Sequence, residues 1–199
     1  VRIALAYKGC VYRTRPVHLL RDGGEQHCEG HKALNPQGQI PVLLVDGEPL
    51  SQSVAIVEFL EESFPNPPLF PPDPLSKARC RQMAEVINSG IQPLQNLAVL
   101  QHLSGAHGFD KASTQAWARH WIGEGLAALE TLANRFAGRY CSGDAITIAD
   151  VLLVPQLYNA RRFGVALDSV PRLMRIEAAL LAHPAFFDTA PERQPDAEL

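Results

Sequence analysis

No run of apolar residues in this 199-residue chain approaches membrane-spanning length, which excludes a helical span and leaves a soluble protein expected. Lys and Arg form no cluster, and the formal charge is only −3, so nucleic acid is not an expected partner. The four cysteines, Cys10, Cys28, Cys80 and Cys141, contain no Cys-x-x-Cys pair. Scattered thiols of this kind fit a reducing compartment, and a cytoplasmic location is expected. His27, Cys28 and His31 lie close together, but no further Cys/His pair completes a tetrahedral set. They read as a surface loop, and no metal is expected. The chain also lacks an opening methionine: Val1 to Lys8 reads as the middle and end of a helix stopped by Gly9, with neither cap nor strand before it.

What is present is organised around residues 35–56. The Pro- and Gly-punctuated loop Asn35-Pro36-Gln37-Gly38-Gln39-Ile40-Pro41 leads into an apolar strand, Val42 to Val45. Asp46-Gly47 supplies a two-residue turn that tolerates positive φ, and a second short strand follows. Gln52-Ser53 then opens an amphipathic helix with Ile56, Val57 and Leu60 at helical spacing, ending near Phe64. The first-turn N–H groups of a helix have no intrahelical partner and carry the positive end of the macrodipole. A carboxylate is therefore held well at Gln52-Ser53. The residues alone equally allow Pro41 as a strand-edge proline and Ser53 as an ordinary cap.

Upstream, Tyr12 to Leu19 alternates as a strand would, and a polar, mobile-looking segment runs from Asp22 to His31. Gln26 falls within it. Downstream, the prolines between Pro65 and Pro74 are too dense for helix or sheet and act as a stiff spacer. The expected division is 1–65, a linker 66–74, and an all-helical domain 75–199. A helix from about Ser76 to Ile91 continues, interrupted at Gly90 and Pro93, through Asn96 to Leu100. Gly105 to Gly108 is expected as a loop. Ser113 to Phe136 is a long helix, with Trp117, Trp121, Leu126, Leu129, Leu132 and Phe136 as its buried stripe. After the turn Ser142-Gly143-Asp144, Thr147 to Asp150 forms a capping box, with Ile146 and Val151 as its staple. The box opens a central helix from Ile148 to about Phe163, and Asp150 has a capping role rather than a chemical one. Arg161 and Arg162 close that helix, where cations are favourable in any protein. Arg172 to Leu181 forms a last helix, and the tail carries Arg193-Gln194-Pro195-Asp196.

The wording Asn-Pro-x-x-Gln-Ile-Pro-Val-Leu, then Leu-Ser-Gln-Ser-x-Ala-Ile, resembles the zeta class of glutathione transferases, the maleylacetoacetate isomerases. Gln92-Pro93-Leu94-Gln95-Asn96-Leu97 and Arg161-Arg162-Phe163-Gly164 extend the resemblance over nearly the whole chain. It implies a thioredoxin-like domain followed by an all-helical one, α/β plus all-α, assembled as a homodimer. It implies glutathione as cofactor, with its γ-glutamyl carboxylate at Gln52 and Ser53 and its glycyl end near Gln26. Its backbone would pair with Ile40 before a cis Pro41, while Gln92 and Asn96 reach toward the ligand from the helical domain. Arg162 is then the cation for a diacid substrate, a planar fork suited to a carboxylate.

The implied activity is cis–trans isomerisation of maleylacetoacetate to fumarylacetoacetate in aromatic amino-acid catabolism. Alternatives are maleylpyruvate isomerisation, general glutathione transfer, or glutathione binding without catalysis. The family's thiol-activating Ser-Ser-Cys-x-x-Arg motif would lie upstream of Val1, with the strand before it, so no catalytic residue is named. Cys10 follows the end of its helix and does not substitute.

Overall fold

The computed structural model describes residues 1–194 and 197. Pro195 and Asp196 of the tail motif lie outside the described residues. The chain divides into two compact units, Val1–Pro67 with Asp188–Leu199, and Pro68–Phe187. The sequence reading carried the helical domain through residue 199, whereas the tail groups with the first unit.

In the first unit, helix α1 (Arg2–Tyr7) ends as Gly9 predicts. Gly9 takes φ +66°, and the N–H groups of Gly9 and Cys10 donate to the carbonyls of Ala6 and Leu5 at 3.1 and 2.9 Å. This is a Schellman closure, which favours glycine because a side chain at positive φ is strained. Lys8 is buried, yet its ammonium is satisfied by Glu61 Oε2 at 2.7 Å and the carbonyls of Phe64 at 2.6 Å and Pro67 at 3.1 Å. One cation thereby ties the end of α1 to the chain between Glu61 and Pro67. Buried and paired, it is tolerated; unpaired, it would be costly.

The expected strand at Tyr12–Leu19 is absent. Residues 10–18 have no regular structure, and the sheet among the described residues contains only β1 (Val42–Val45) and β2 (Glu48–Ser51). Alternation gives a segment strand character only where a ladder partner lies alongside it. The polar segment after it is also more ordered than its composition suggests. Tight turns at Arg21–Gly23 and Glu25–His27 lead to a short helix α2 (Glu29–Leu34). Glu25 stitches it back, its carboxylate accepting His18 N at 2.8 Å and its N–H donating to the His18 carbonyl at 2.9 Å. The hairpin is as read: Val42 faces Ser51, Val45 faces Glu48, and Asp46 and Gly47 take φ +51° and +93°. Helix α3 (Ser53–Ser63) buries Ile56, Val57 and Leu60.

In the second unit, helix α4 (Pro74–Glu85) leads through a π-helical turn, Val86–Ile91, and a 3₁₀ turn, Gln92–Gln95, into α5 (Leu97–His107). Gly105 is helical rather than a loop, and the stop comes at Gly108, left-handed at φ +68°. A single glycine inside a helix costs only about 1 kcal/mol. Helix α6 (Lys111–Phe136) buries Ala118, Ile122, Leu126, Leu129, Glu130 and Ala133. The stripe is thus turned from the expected one, leaving Trp117, Trp121, Leu132 and Phe136 at its half-buried margin. Large aromatic rings dominate a hydrophobicity reading, but alanines let α6 approach its neighbours most closely.

Helix α7 (Ile148–Arg162) is buried on most of its surface, as a central helix should be. Its capping box is complete: the Asp150 carboxylate accepts Thr147 N at 2.8 Å, Thr147 Oγ1 at 3.0 Å and Cys141 N at 2.8 Å. Burial pushes the Asp150 carboxyl up, and those donors pull against it. Ile146 and Val151 are both buried, as the staple requires. Helix α8 (Pro171–Leu181) has no oxygen of its own at its start. Glu130 of α6 supplies both, accepting Arg172 N at 2.9 Å and Leu173 N at 3.0 Å. A short α9 (Pro184–Phe187), not anticipated from sequence, follows.

Asp150→Ala and Glu130→Ala should each lower the unfolding free energy by about 2–4 kcal/mol, since each strands buried donors. Urea unfolding followed by circular dichroism measures this, and a midpoint unchanged from the parent would remove the residue from the framework.

Candidate active site

In the first unit the loop 35–41 is fixed from behind. His31 Nε2 lies 3.0 Å from the Gln39 carbonyl, Asn35 Nδ2 donates to the same oxygen at 2.8 Å, and Asn35 Oδ1 accepts Gln37 N at 3.2 Å. The reading of His27, Cys28 and His31 as a surface loop is therefore corrected for His31, which is buried on α2. The Ile40–Pro41 peptide is cis, and Ile40 is 47% exposed. Because Val42 faces Ser51 in the hairpin, Pro41 and Gln52 are neighbours at its open end. The structure thus brings Ile40, Pro41, Gln52 and Ser53 together.

Gln52 precedes α3 with φ +73° and ψ 117°, outside the left-handed well, a conformation that costs an L-residue about 1–3 kcal/mol. Its amide donates to Gln37 Oε1 at 2.6 Å, tying the helix start to the fixed loop. No side chain caps α3, and its first turn contains no acid. Ser53 is the first helical residue rather than the cap, which overturns the ordinary-cap alternative. The other long helices differ. Asp73, Asn96 and Asp110 accept first-turn N–H groups of α4, α5 and α6, Asp150 completes the box of α7, and Glu130 caps α8. The first-turn N–H groups of α3 thus have neither a side-chain cap nor a neighbouring acid to neutralise the helix dipole.

Gln26 is buried in the adjacent turn. Its amide donates to the Leu19 carbonyl at 3.3 Å, and its Oε1 is buried with no partner among the described residues. Gly38 packs tightly there: a Cβ would lie 3.0 Å from His27 Nδ1 and 3.1 Å from the Gln26 carbonyl. Burial pushes the Cys10 thiol up, and the charge of Lys8 pulls against it.

In the second unit, Gln92 is exposed, and while its backbone N–H donates to the Ile87 carbonyl, its side chain makes no hydrogen bond among the described residues. Asn96 Oδ1 caps α5 by accepting Ala98 N at 3.1 Å, which leaves its NH₂ to donate elsewhere. At the end of α7 the two arginines separate. Arg161 is engaged by Glu177 in a two-pronged pair, Nη1 to Oε1 at 2.7 Å and Nη2 to Oε2. Arg162 is exposed and has no ion pair among the described residues. A hollow of about 320 Å³ in this unit is lined by Pro71, Ser76, Arg79, Arg135, Phe136, Ser142 and Gly143, none of them named from sequence as a site residue. Sequence reading also missed Trp117 and Gln156 as polar anchors. A lone glutamine inside the apolar run Val151 to Leu157 was the available signal.

A cis-proline hairpin followed by an uncapped helix, joined to a bundle around a capping-box helix, is the architecture of a glutathione transferase. Residues 1–63 match the glutathione S-transferase N-terminal domain and residues 115–188 its C-terminal domain. The maleylacetoacetate isomerase of Pseudomonas aeruginosa is 50% identical over 197 residues, 98% of this chain and 92% of that protein. A bacterial zeta-class maleylpyruvate isomerase structure superposes with TM-score 0.95 at 40% identity, covering 99% of this chain and 93% of that one. The Methylobacterium extorquens maleylacetoacetate isomerase, crystallised with malonate and glutathione, gives TM-score 0.95 at 36% identity, covering 100% and 93%. The chain belongs to the zeta class of the glutathione transferases, the maleylacetoacetate isomerase family.

Since α3 lacks an acid in its first turn, Ala55→Glu should raise stability by about 0.3–1 kcal/mol through the helix dipole. Thermal unfolding at low salt measures the gain, and a fall in melting temperature would show that the site is not electropositive.

Proposed function

We propose that this protein is a glutathione-dependent cis–trans isomerase that converts maleylacetoacetate to fumarylacetoacetate. The observation that carries it is the uncapped α3 N-terminus beside the exposed Ile40, in a chain half identical to a maleylacetoacetate isomerase. The residues present fit glutathione. First-turn N–H groups at Ser53, with the Gln52 amide, suit its γ-glutamyl carboxylate. The Ile40 N–H and C=O suit its peptide backbone as a short added strand would. Gln26 serves the glycyl end, and Gln92 and Asn96 donate amide hydrogens from the helical unit.

When bound, glutathione supplies a thiol that adds to the substrate double bond and leaves again, freeing rotation in between. Arg162 holds a substrate carboxylate: it is permanently charged, exposed, and spared the structural pairing that occupies Arg161. A diacid fits such a fork, and malonate accompanies glutathione in the Methylobacterium relative. Maleylpyruvate isomerisation, the same chemistry on a keto-acid, is the second reading, favoured by the TM-score of 0.95 to a maleylpyruvate isomerase. A homodimer completes the proposal, supported by the exposed apolar side chains Leu44 and Phe64 of the first unit, which a second copy would cover. A cytoplasmic location is supported by four unpaired thiols; among the described residues no helix is long and apolar enough to cross a membrane.

The full-length protein should isomerise maleylacetone in the presence of glutathione and not without it. Glutathione binding with no turnover on maleylacetone or maleylpyruvate would leave a binding protein, and faster aryl-halide conjugation would make it a general transferase. Arg162→Ala should raise KM for the diacid about 10- to 100-fold while moving KM for glutathione little. Equal effects on both would take Arg162 out of the substrate site. Ser53→Ala should weaken glutathione binding by about 1–3 kcal/mol in calorimetry; unchanged affinity would free the hydroxyl of that role.

A further inference from the structure

The least regular stretch of the helical unit is also its most tightly fastened. Between α4 and α5 the backbone passes from a π-helical turn to a 3₁₀ turn and then, at Asn96, to an extended conformation with φ −63° and ψ 144°. Pro93 accounts for part of this, lacking an N–H and crowding the preceding turn. Such a segment has several backbone paths of similar energy, so something must select one.

Three contacts do so, each on the buried side. Ile91, fully buried, lies against Gly125 of α6 so closely that a Cβ there would come within 2.2 Å of Ile91 Cγ1 and 2.5 Å of its Cδ1. Trp117 of α6 donates its indole N–H to the Leu94 carbonyl at 2.8 Å. Gln95 and Gln156 of α7, only 4% and 2% exposed, exchange amide hydrogen bonds, Gln95 Nε2 to Gln156 Oε1 at 2.7 Å and Gln156 Nε2 to Gln95 Oε1 at 3.4 Å. Positions 91, 94 and 95 face inward and are pinned. Positions 92 and 96 alternate with them, and there the Gln92 side chain has no hydrogen bond among the described residues and Asn96 keeps its NH₂ uncommitted. An apolar pair at 95 and 156 would pack as well but would tolerate sliding; a buried amide pair is satisfied only in one register.

We propose that Trp117, Gly125 and Gln156 are positioning residues for the glutathione site. They touch no ligand themselves but fix the direction in which the segment presents Gln92 and Asn96. The proposal rests on the reading of Gln92 and Asn96 as ligand contacts, so the two are tested together. Glutathione affinity by calorimetry and steady-state kcat and KM are measured for Gln92→Ala, Asn96→Asp, Trp117→Phe, Gly125→Ala and Gln156→Leu. Asn96→Asp keeps the cap and replaces the donor by a charged carboxylate oxygen. Trp117→Phe keeps the ring packing and removes only the N–H, so it remains informative if Gly125→Ala fails to fold.

The contact variants should weaken glutathione binding about tenfold. Trp117→Phe and Gln156→Leu should do the same, with kcat at saturating glutathione and KM for the diacid within about twofold of the parent. Combined with Gln92→Ala and Asn96→Asp, the positioning changes should add almost nothing, because they act through residues already removed. Unchanged affinity in the contact variants overturns the ligand reading and the proposal with it. Weakened contact variants with unaffected or fully additive positioning variants overturn the positioning role alone.

Discussion

The N–H groups of a helix's first turn have no acceptor within the helix, and how each is satisfied separates framework from site in this protein. Helices α4 to α8 are each closed by an oxygen: Asp73, Asn96, Asp110, the Thr147–Asp150 box, and Glu130 reaching from α6 to α8. Only α3 among the longer helices is left open, and its start is held by a residue in a costly conformation. Leaving donors open next to water costs little. Here Gln52 and Gln37 tie the helix start to the loop anchored at the Gln39 carbonyl, which leaves those donors available for the carboxylate proposed above.

Charge is handled by the same logic elsewhere. Lys8, Glu130 and Asp150 are buried and each is matched by more than one hydrogen bond, while Glu177 is matched by the two prongs of Arg161. That pattern fixes where elements meet. Arg162, adjacent to the committed Arg161, is exposed and has no ion pair among the described residues. Only the acceptor at Glu177 distinguishes the two arginines.

Local chemistry made much of this legible. The Gly9 stop, the Asp46-Gly47 turn, the capping box and the helix after Gln52 all follow from contacts within a few residues, and each stands where the sequence puts it. Misreadings arose where a distant partner decides. Tyr12–Leu19 alternates but has no ladder neighbour. The buried face of α6 is chosen by alanines at helix crossings rather than by its tryptophans. Glu130 caps a helix that begins 41 residues later, at Pro171, a relation no local pattern carries.

The irregular segment 86–96 shows why polar residues in apolar surroundings are the informative ones. Sequence placed a kink at Gly90 and Pro93, and a kink follows from proline anywhere. What proline does not specify is the direction in which the chain leaves it. The direction comes from Trp117, Gly125 and Gln156, which lie on two other helices and resemble, in isolation, an interior aromatic, a helix-weakening glycine and a misplaced amide. Each is unfavourable by local rules and becomes favourable only against the segment it holds. Departures from local preference that converge on one irregular stretch, with bare polar side chains on its outer face, are what a presented ligand contact requires.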